Sequence, residues 1–237
     1  MKGTTTDLSQ KIIGPEYEAF QKYLHDGRLN RYLLRSGVIS LLADPFITVL
    51  THLTGPLGFF LRRIYYAQRV KSLGKNTLID VGVAMYGPRN IQIGEFCWID
   101  SYTKLIAPYG HINIGKRVHV STGVYLSGAG GINIEDYAGI APNAIILSST
   151  EYPVPGKRMS GPMLPLEYRG IKQGPVILKK DSFVGSNSIV MPGVVIGEGA
   201  IVAANSVANQ NVAPYTIVFG NPARKIRSRS PITVPDI

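Results

Sequence analysis

A six-residue beat constrains this chain more than any other feature. Val184, Val190, Ile196 and Val202 recur at intervals of six, and four places after each stands a small or short residue, Ser188, Val194, Ala200 or Ser206. The beat runs earlier through Ile93/Cys97, Ile99/Thr103, Ile114/Val118, Val120/Val124, Ile134/Ala138 and Ile140/Ala144. Self-similarity at a fixed short period marks a solenoid, and a period of six points to a parallel β-helix. Each hexad reads as one short strand plus a corner, and three hexads close a triangular coil. The large aliphatic points into the prism, and the residue four later is small because the corner is crowded. No coil buries its apolar side alone, so stacking supplies the core.

Longer recurrences agree. Leu73, Ile93, Ile114 and Ile134 open matching segments 20, 21 and 20 residues apart, which is three hexads plus two or three residues at one corner. From Leu178 to Val202 the chain keeps strict sixes, and Gly185, Gly193, Gly197 and Gly199 fit tight corners. The array breaks once, from Ser148 to Gly174, in a Pro- and Gly-rich excursion. A long loop inside a repeat array is a place where function concentrates.

Three parts follow: an N-terminal helical and apolar extension (1–72), a β-helix domain (73–228, loop 148–175) and a tail (229–237). Pro15 to Leu24 has the form of a helix start. Gly37 to Leu61 is apolar but broken by Asp44-Pro45, His52 and Gly55-Pro56, too short a run for a membrane span. Arg62, Arg63, Arg69, Lys71 and Lys75 follow, with no acidic residue between Asp44 and Asp80. Two compatible readings stand. In one the segment lies on an anionic membrane surface, and in the other it caps the open end of the solenoid. The first twenty residues are polar and lack a secretory core. The expectation is a cytoplasmic chain, with peripheral association at the inner face of the cell membrane under the first reading.

The net charge of +10 favours anionic partners. Neither a recognition-helix pattern nor an aromatic–basic platform accompanies it, so nucleic acid is not expected. The single cysteine, Cys97, falls on a small inward position and reads as core, which excludes an internal disulfide framework. The histidines are scattered, so no metal site is expected.

Together, the hexads, the single loop and Gly220-Asn221-Pro222-Ala223-Arg224 resemble the left-handed β-helix acyltransferases of the hexapeptide-repeat superfamily, over residues 70 to 228. The sugar O-acetyltransferase branch is the closer match, through Gly161-Pro162, Pro165-Leu-Glu-Tyr168 and Gly174-Pro175-Val176. The resemblance implies homotrimers with acetyl-CoA in the groove between neighbouring prisms. It also implies that a base deprotonates an acceptor hydroxyl, which attacks the thioester directly while an N–H donor stabilises the oxyanion.

Many members carry a histidine just after the strand that opens the loop; here Glu151 stands near that place. Of the four histidines, His25 and His52 read as structural and His111 sits at a coil corner. His119 lies between inward Val118 and Val120, so its ring points outward, and Gly139 one coil later leaves an open shelf beside it. His119 is therefore the candidate general base. Glu151 is expected to orient the imidazolium, bind the acceptor hydroxyl, or act as base if burial raises its pKa. For the cofactor, Gly185, Ser186 and Ala203 are small corner residues that admit a pantetheine arm. Lys179, Lys180, Arg224 and Lys225 are candidates for the CoA phosphates.

The expected activity is acetyl-CoA-dependent O-acetylation of a sugar hydroxyl in cell-surface polysaccharide or lipopolysaccharide synthesis, the acceptor being a sugar or lipid-linked glycan. The alternatives are N-acylation of an amino sugar nucleotide and a catalytically inactive scaffold.

Overall fold

The computed structural model describes residues 27, 31, 45–159, 161 and 164–237. The chain divides into two compact units, 1–50 and 51–237. In the first, residues 45–50 are helical; the expected helix start at Pro15, His25 and the apolar run 37–44 lie outside the described residues.

In the second unit the hexads become strands of two or three residues, stacked into three parallel faces. The first face holds Ser72–Leu73, Ile91–Ile93, Ile112–Ile114, Ile132–Ile134, Val176–Leu178 and Val195–Ile196. The second holds Leu78–Ile79, Trp98–Ile99, His119–Val120, Gly139–Ile140, Phe183–Val184, Ile201–Val202 and Thr216–Phe219. The third holds Ala84–Tyr86, Lys104–Ile106, Tyr125–Ser127, Ile145–Leu147, Ile189–Val190 and Val207–Ala208. The result is the parallel β-helix that the hexads predict, with the left-handed form that the family resemblance implies.

The inward aliphatics, such as Ile99, Val120, Ile140, Val184 and Val202, are almost completely buried, and so is Cys97. Three places after each large aliphatic the backbone turns left-handed, as at Phe96, Tyr102, Arg117, Tyr137, Asn143, Asn187 and Asn205. Gly199 occupies the same place with φ +60°. Gly185 and Gly197 are required for another reason: a Cβ on them would lie 2.5 Å from the backbone nitrogens of Ala204 and Pro214 in the next coil. The small inward position also serves hydrogen bonding. Ser188 Oγ donates to Ala203 O at 2.8 Å and accepts from Ser206 N at 3.2 Å, while Ser206 Oγ accepts from Gly220 N at 3.0 Å. A buried hydroxyl is thereby tolerated in an aliphatic column.

Two members of the basic cluster, Arg62 and Arg63, pack against the first coil. Helix Gly55–Ala67, started by Pro56, lies on the first coil. Arg62 is fully buried; its Nε donates to Ile79 O at 2.8 Å and its Nη1 to Leu53 O, with Asp80 3.8 Å from Nη2. Arg63 donates to Thr77 O at 3.1 Å and Gly74 O at 3.0 Å. The two guanidiniums thus satisfy carbonyls at the coil edge that have no earlier strand to receive them. No helix among the described residues is long and apolar enough to cross a membrane.

The other end is closed by strand Arg224–Ser228, which pairs antiparallel with Thr216–Phe219 and covers its edge. The tail then returns along the corner between the first and second faces. Arg229 N donates to Tyr215 O at 2.8 Å, Lys180 Nζ to the Asp236 carboxylate at 2.7 Å, and Tyr137 OH to Ile237 O at 2.7 Å. The Asp236 contact raises the Lys180 pKa above its ordinary value.

Arg62→Ala strips hydrogen bonds from the carbonyls of Leu53 and Ile79 and opens a cavity under the cap. A loss of about 3 kcal/mol is expected, since each buried polar group left unpaired costs about 1–3 kcal/mol. Chemical denaturation, compared with exposed Arg227→Ala as control, measures it.

Candidate active site

The second face carries one outward column in register: Trp98, His119, Gly139, Phe183 and Ile201. Strand alternation turns these side chains out while Ile99, Val120, Ile140 and Val184 turn in. His119 Nε2 lies 2.9 Å from Asp100 Oδ2, and its side chain is 52 % exposed against 18 % for Asp100. The Trp98 ring sits beside the imidazole, 5.7 Å between centroids and tilted by 37°. The bond to Asp100 assigns the tautomer: in the neutral ring Nε2–H donates to the carboxylate and Nδ1 keeps its lone pair. A neutral imidazole held this way turns Nδ1 away from the carboxylate with its lone pair free.

The shelf at Gly139 is narrower than the sequence implies. A Cβ on Gly139 would lie 2.9 and 3.3 Å from two Phe183 ring carbons, so that ring leans over the glycine. The shelf is a slot, with the imidazole on one side and a phenyl ring on the other.

Glu151 sits elsewhere. The chain leaves the third face after Leu147, and Ser149–Glu151 pairs antiparallel with Ile171–Gln173 to form the stem of the loop. Arg169 Nε donates to Glu151 Oε1 at 2.9 Å, and Arg169 Nη2 donates to the same oxygen. Glu151 Oε2 is buried and has no hydrogen-bond partner. Within one chain Glu151 does not touch His119. The carboxylate that contacts the His119 imidazole within one chain is that of Asp100.

Of the cofactor candidates, Gly185, Ser186 and Ala203 fall in adjacent rows at the corner between the second and third faces. Phe219, one row further on, pairs with Arg224. The smallness of Gly185 is already accounted for by its contact with the next coil. Ser186 and Ala203 are half-buried, while Arg224 and Lys225 are exposed on the last strand. Lys179 and Lys180 lie at the opposite corner, paired with Glu135 and Asp236. Among the described residues no group of histidine, cysteine or carboxylate side chains is disposed to hold a metal ion.

Asp100, Trp98, Phe183 and Arg169 were not identified from the sequence. The first three were accessible by aligning hexads in columns, coil on coil. Arg169 was not, because it lies in the loop where the hexad register has ended.

Residues 175–210 match the family described as bacterial transferase hexapeptide (six repeats). The chain is 38% identical over 160 residues to dTDP-4-amino-4,6-dideoxy-D-glucose acyltransferase of Escherichia coli, a match covering 68% of this chain and 83% of that enzyme. The chain belongs to the hexapeptide-repeat acyltransferase superfamily. Galactoside O-acetyltransferase of Escherichia coli K12 is a more distant relative, 28% identical over 137 residues, covering 57% of this chain and 62% of that one. Among solved structures, AntD, an N-acyltransferase from Bacillus cereus in complex with dTDP and 3-hydroxybutyryl-CoA, superposes with a TM-score of 0.67 at 34% identity, covering 71% of this chain and 88% of AntD. In this acyltransferase, then, the outward column and the loop stem are the two places where sequence and geometry together supply acid–base groups.

Arg169→Gln removes the charged donors from Glu151 and loosens the loop stem. Charge-assisted hydrogen bonds contribute about 1.5–3 kcal/mol, so local opening is expected to rise about tenfold or more. Limited proteolysis within 152–170 reads this directly, with cleavage elsewhere unchanged.

Proposed function

We propose that this acyltransferase moves an acyl group, acetyl in the simplest case, from acyl-CoA to the amino group of a nucleotide-linked amino sugar. The observation that carries this reading is the carboxylate of Glu151 at the loop stem, whose side chain is 25% exposed. A carboxylate holds an ammonium group better than a neutral hydroxyl. The relative that matches over most of its length acts on an amino sugar by its name, which supports the same choice over O-acetylation.

In the proposed reaction the sugar arrives as an ammonium, lies against the Glu151 carboxylate and gives one proton to solvent. The free amine attacks the thioester carbonyl carbon, forming the C–N bond. His119 Nδ1 takes the second nitrogen proton while Asp100 supports the imidazolium. The C–S bond breaks, and the imidazolium passes that proton to the departing thiolate, leaving an amide and CoA thiol. Ser186 and Ala203 would border the pantetheine arm, with Arg224 and Lys225 beside the CoA phosphates. Their exposure, and the lack of any ion pair to either cation among the described residues, fit that role.

His119 and Glu151 serve one centre only if neighbouring protomers of a homotrimer bring the second face of one beside the loop of the next. Mixed assemblies test this. His119→Ala and Glu151→Gln are each expected to lose about 10²–10⁴ in kcat, and co-refolded mixtures are expected to regain activity that neither variant shows alone. Absence of recovery in a verified mixed trimer overturns the shared site.

The acceptor class is tested with acetyl-CoA and either dTDP-4-amino-4,6-dideoxyglucose or a simple galactoside, reading CoA thiol release and product mass. Amide formation on the amino sugar is the expected outcome. Acetylation of the galactoside with an inert amino sugar overturns the N-acyl reading and leaves O-acetylation.

A further inference from the structure

Phe183 contributes nothing to the prism interior, since its side chain turns outward and is 42% exposed. It stands in register with Gly139, one row beyond the glycine from His119. Successive strands are about 4.8 Å apart, so the His119 and Phe183 rows are separated by about two such steps, with Gly139 as the floor between them. The phenyl ring leans into that gap, because a Cβ on Gly139 would come within 2.9 Å of it.

The chemistry of the gap is one-sided. Asp100 and His119 supply its polar edge, and beyond them the column offers Gly139, Phe183, Ile201 and Ile217, none with a hydrogen-bonding side chain. A sugar ring placed there would lose hydration from several hydroxyls without replacement, which is unfavourable. The acyl chain, by contrast, needs no such partner. Its carbonyl carbon must also sit within reach of the amine that His119 deprotonates.

We infer that the Gly139 slot receives the acyl group and that Phe183 is its end wall, a specificity-determining residue restricting the donor to short acyl chains. This rests on the acyltransferase reading with His119 at the reacting centre. A wall of this kind acts through the transition state: chains that fit reach the attack geometry, and longer ones must displace the ring or leave the slot. One methylene in such a pocket changes kcat/KM by about 10–200-fold.

The test measures kcat/KM for acetyl-CoA and octanoyl-CoA with the amino sugar acceptor in wild type, Phe183→Ala and Phe183→Leu. Thermal unfolding confirms the fold, which is expected to persist because the side chain lies outside the core. The octanoyl-to-acetyl ratio is expected to rise at least about tenfold in Phe183→Ala and less in Phe183→Leu. A wild type that turns over acetyl-CoA, with ratios unmoved in both folded variants, overturns the end wall but leaves the acyltransferase reading intact. Loss of all transfer in both folded variants also overturns it, because an end wall is dispensable for acetyl. A wild type inactive with both donors overturns the underlying reading and the slot with it.

Discussion

The structure depends on the backbone ladder that joins each coil to the next. Along the second face Trp98 N donates to Val118 O at 3.0 Å, His119 N to Ala138 O at 3.3 Å, Gly139 N to Ser182 O at 2.9 Å and Phe183 N to Ala200 O at 2.8 Å. These bonds fix the spacing between coils, and that spacing dictates the rest. It forces glycine at 185 and 197, where a Cβ would meet the next backbone. It leaves only a small residue room inside each corner, and it bends the corner through a left-handed residue. Outward side chains inherit the regularity. The imidazole, the bare glycine and the phenyl ring stand at fixed steps because their backbones do, and a site built on strands is held more closely than one built on loops.

A ladder also creates ends. Each terminal coil presents carbonyls and amides that no further coil receives, and the chain spends charge as well as apolar area on closing them. Arg62 and Arg63 answer the carbonyls of Gly74, Thr77 and Ile79 at one end, and an antiparallel strand covers the other. Part of the +10 net charge therefore has an internal use and is not a measure of attraction to a ligand. The tail adds a different kind of bond. It runs from the row of Tyr215 to those of Lys180 and Tyr137, linking coils that are not nearest neighbours. In a solenoid whose stability is a sum of nearest-neighbour terms, such a strap couples distant repeats and opposes fraying at the last coil.

Most of the fold was legible because one alternation encodes it: a large aliphatic every six residues and a small residue four places on are visible in a single pass along the chain. The site was legible only in part. His119 followed from lying between two inward valines, but its partner Asp100 is nineteen positions away and meets it only across a coil. At Gly185 the sequence alone does not separate room for a cofactor from the close approach of the next coil's backbone that the structure shows. The surroundings of Glu151 were not legible, since it lies past the break in the array, where the antiparallel stem with Ile171–Gln173 follows a different period. Arg169 had no periodic context at all. The basic cluster was ambiguous for a related reason: guanidiniums that bind carbonyls and guanidiniums that face phosphates have the same sequence signature.

The two acid–base candidates sit on different edges of one prism, and this separation has a consequence. A triangular solenoid has no concave surface large enough to enclose two substrates, because its own interior is filled with aliphatic side chains from end to end. Enclosure must come from something set against a flat face, either the long loop or a second prism. Glu151 is on the loop stem and His119 is on a face, so under the proposed function one surface would hold the ammonium and the other would take its proton. Each is open alone: the Glu151 side chain is 25% exposed, and the imidazole is half open to water. Bringing the two surfaces together would dry both groups and strengthen their interactions through the lower dielectric. Assembly and chemistry are then linked by the same physical cause, the flatness that the backbone ladder imposes on every face.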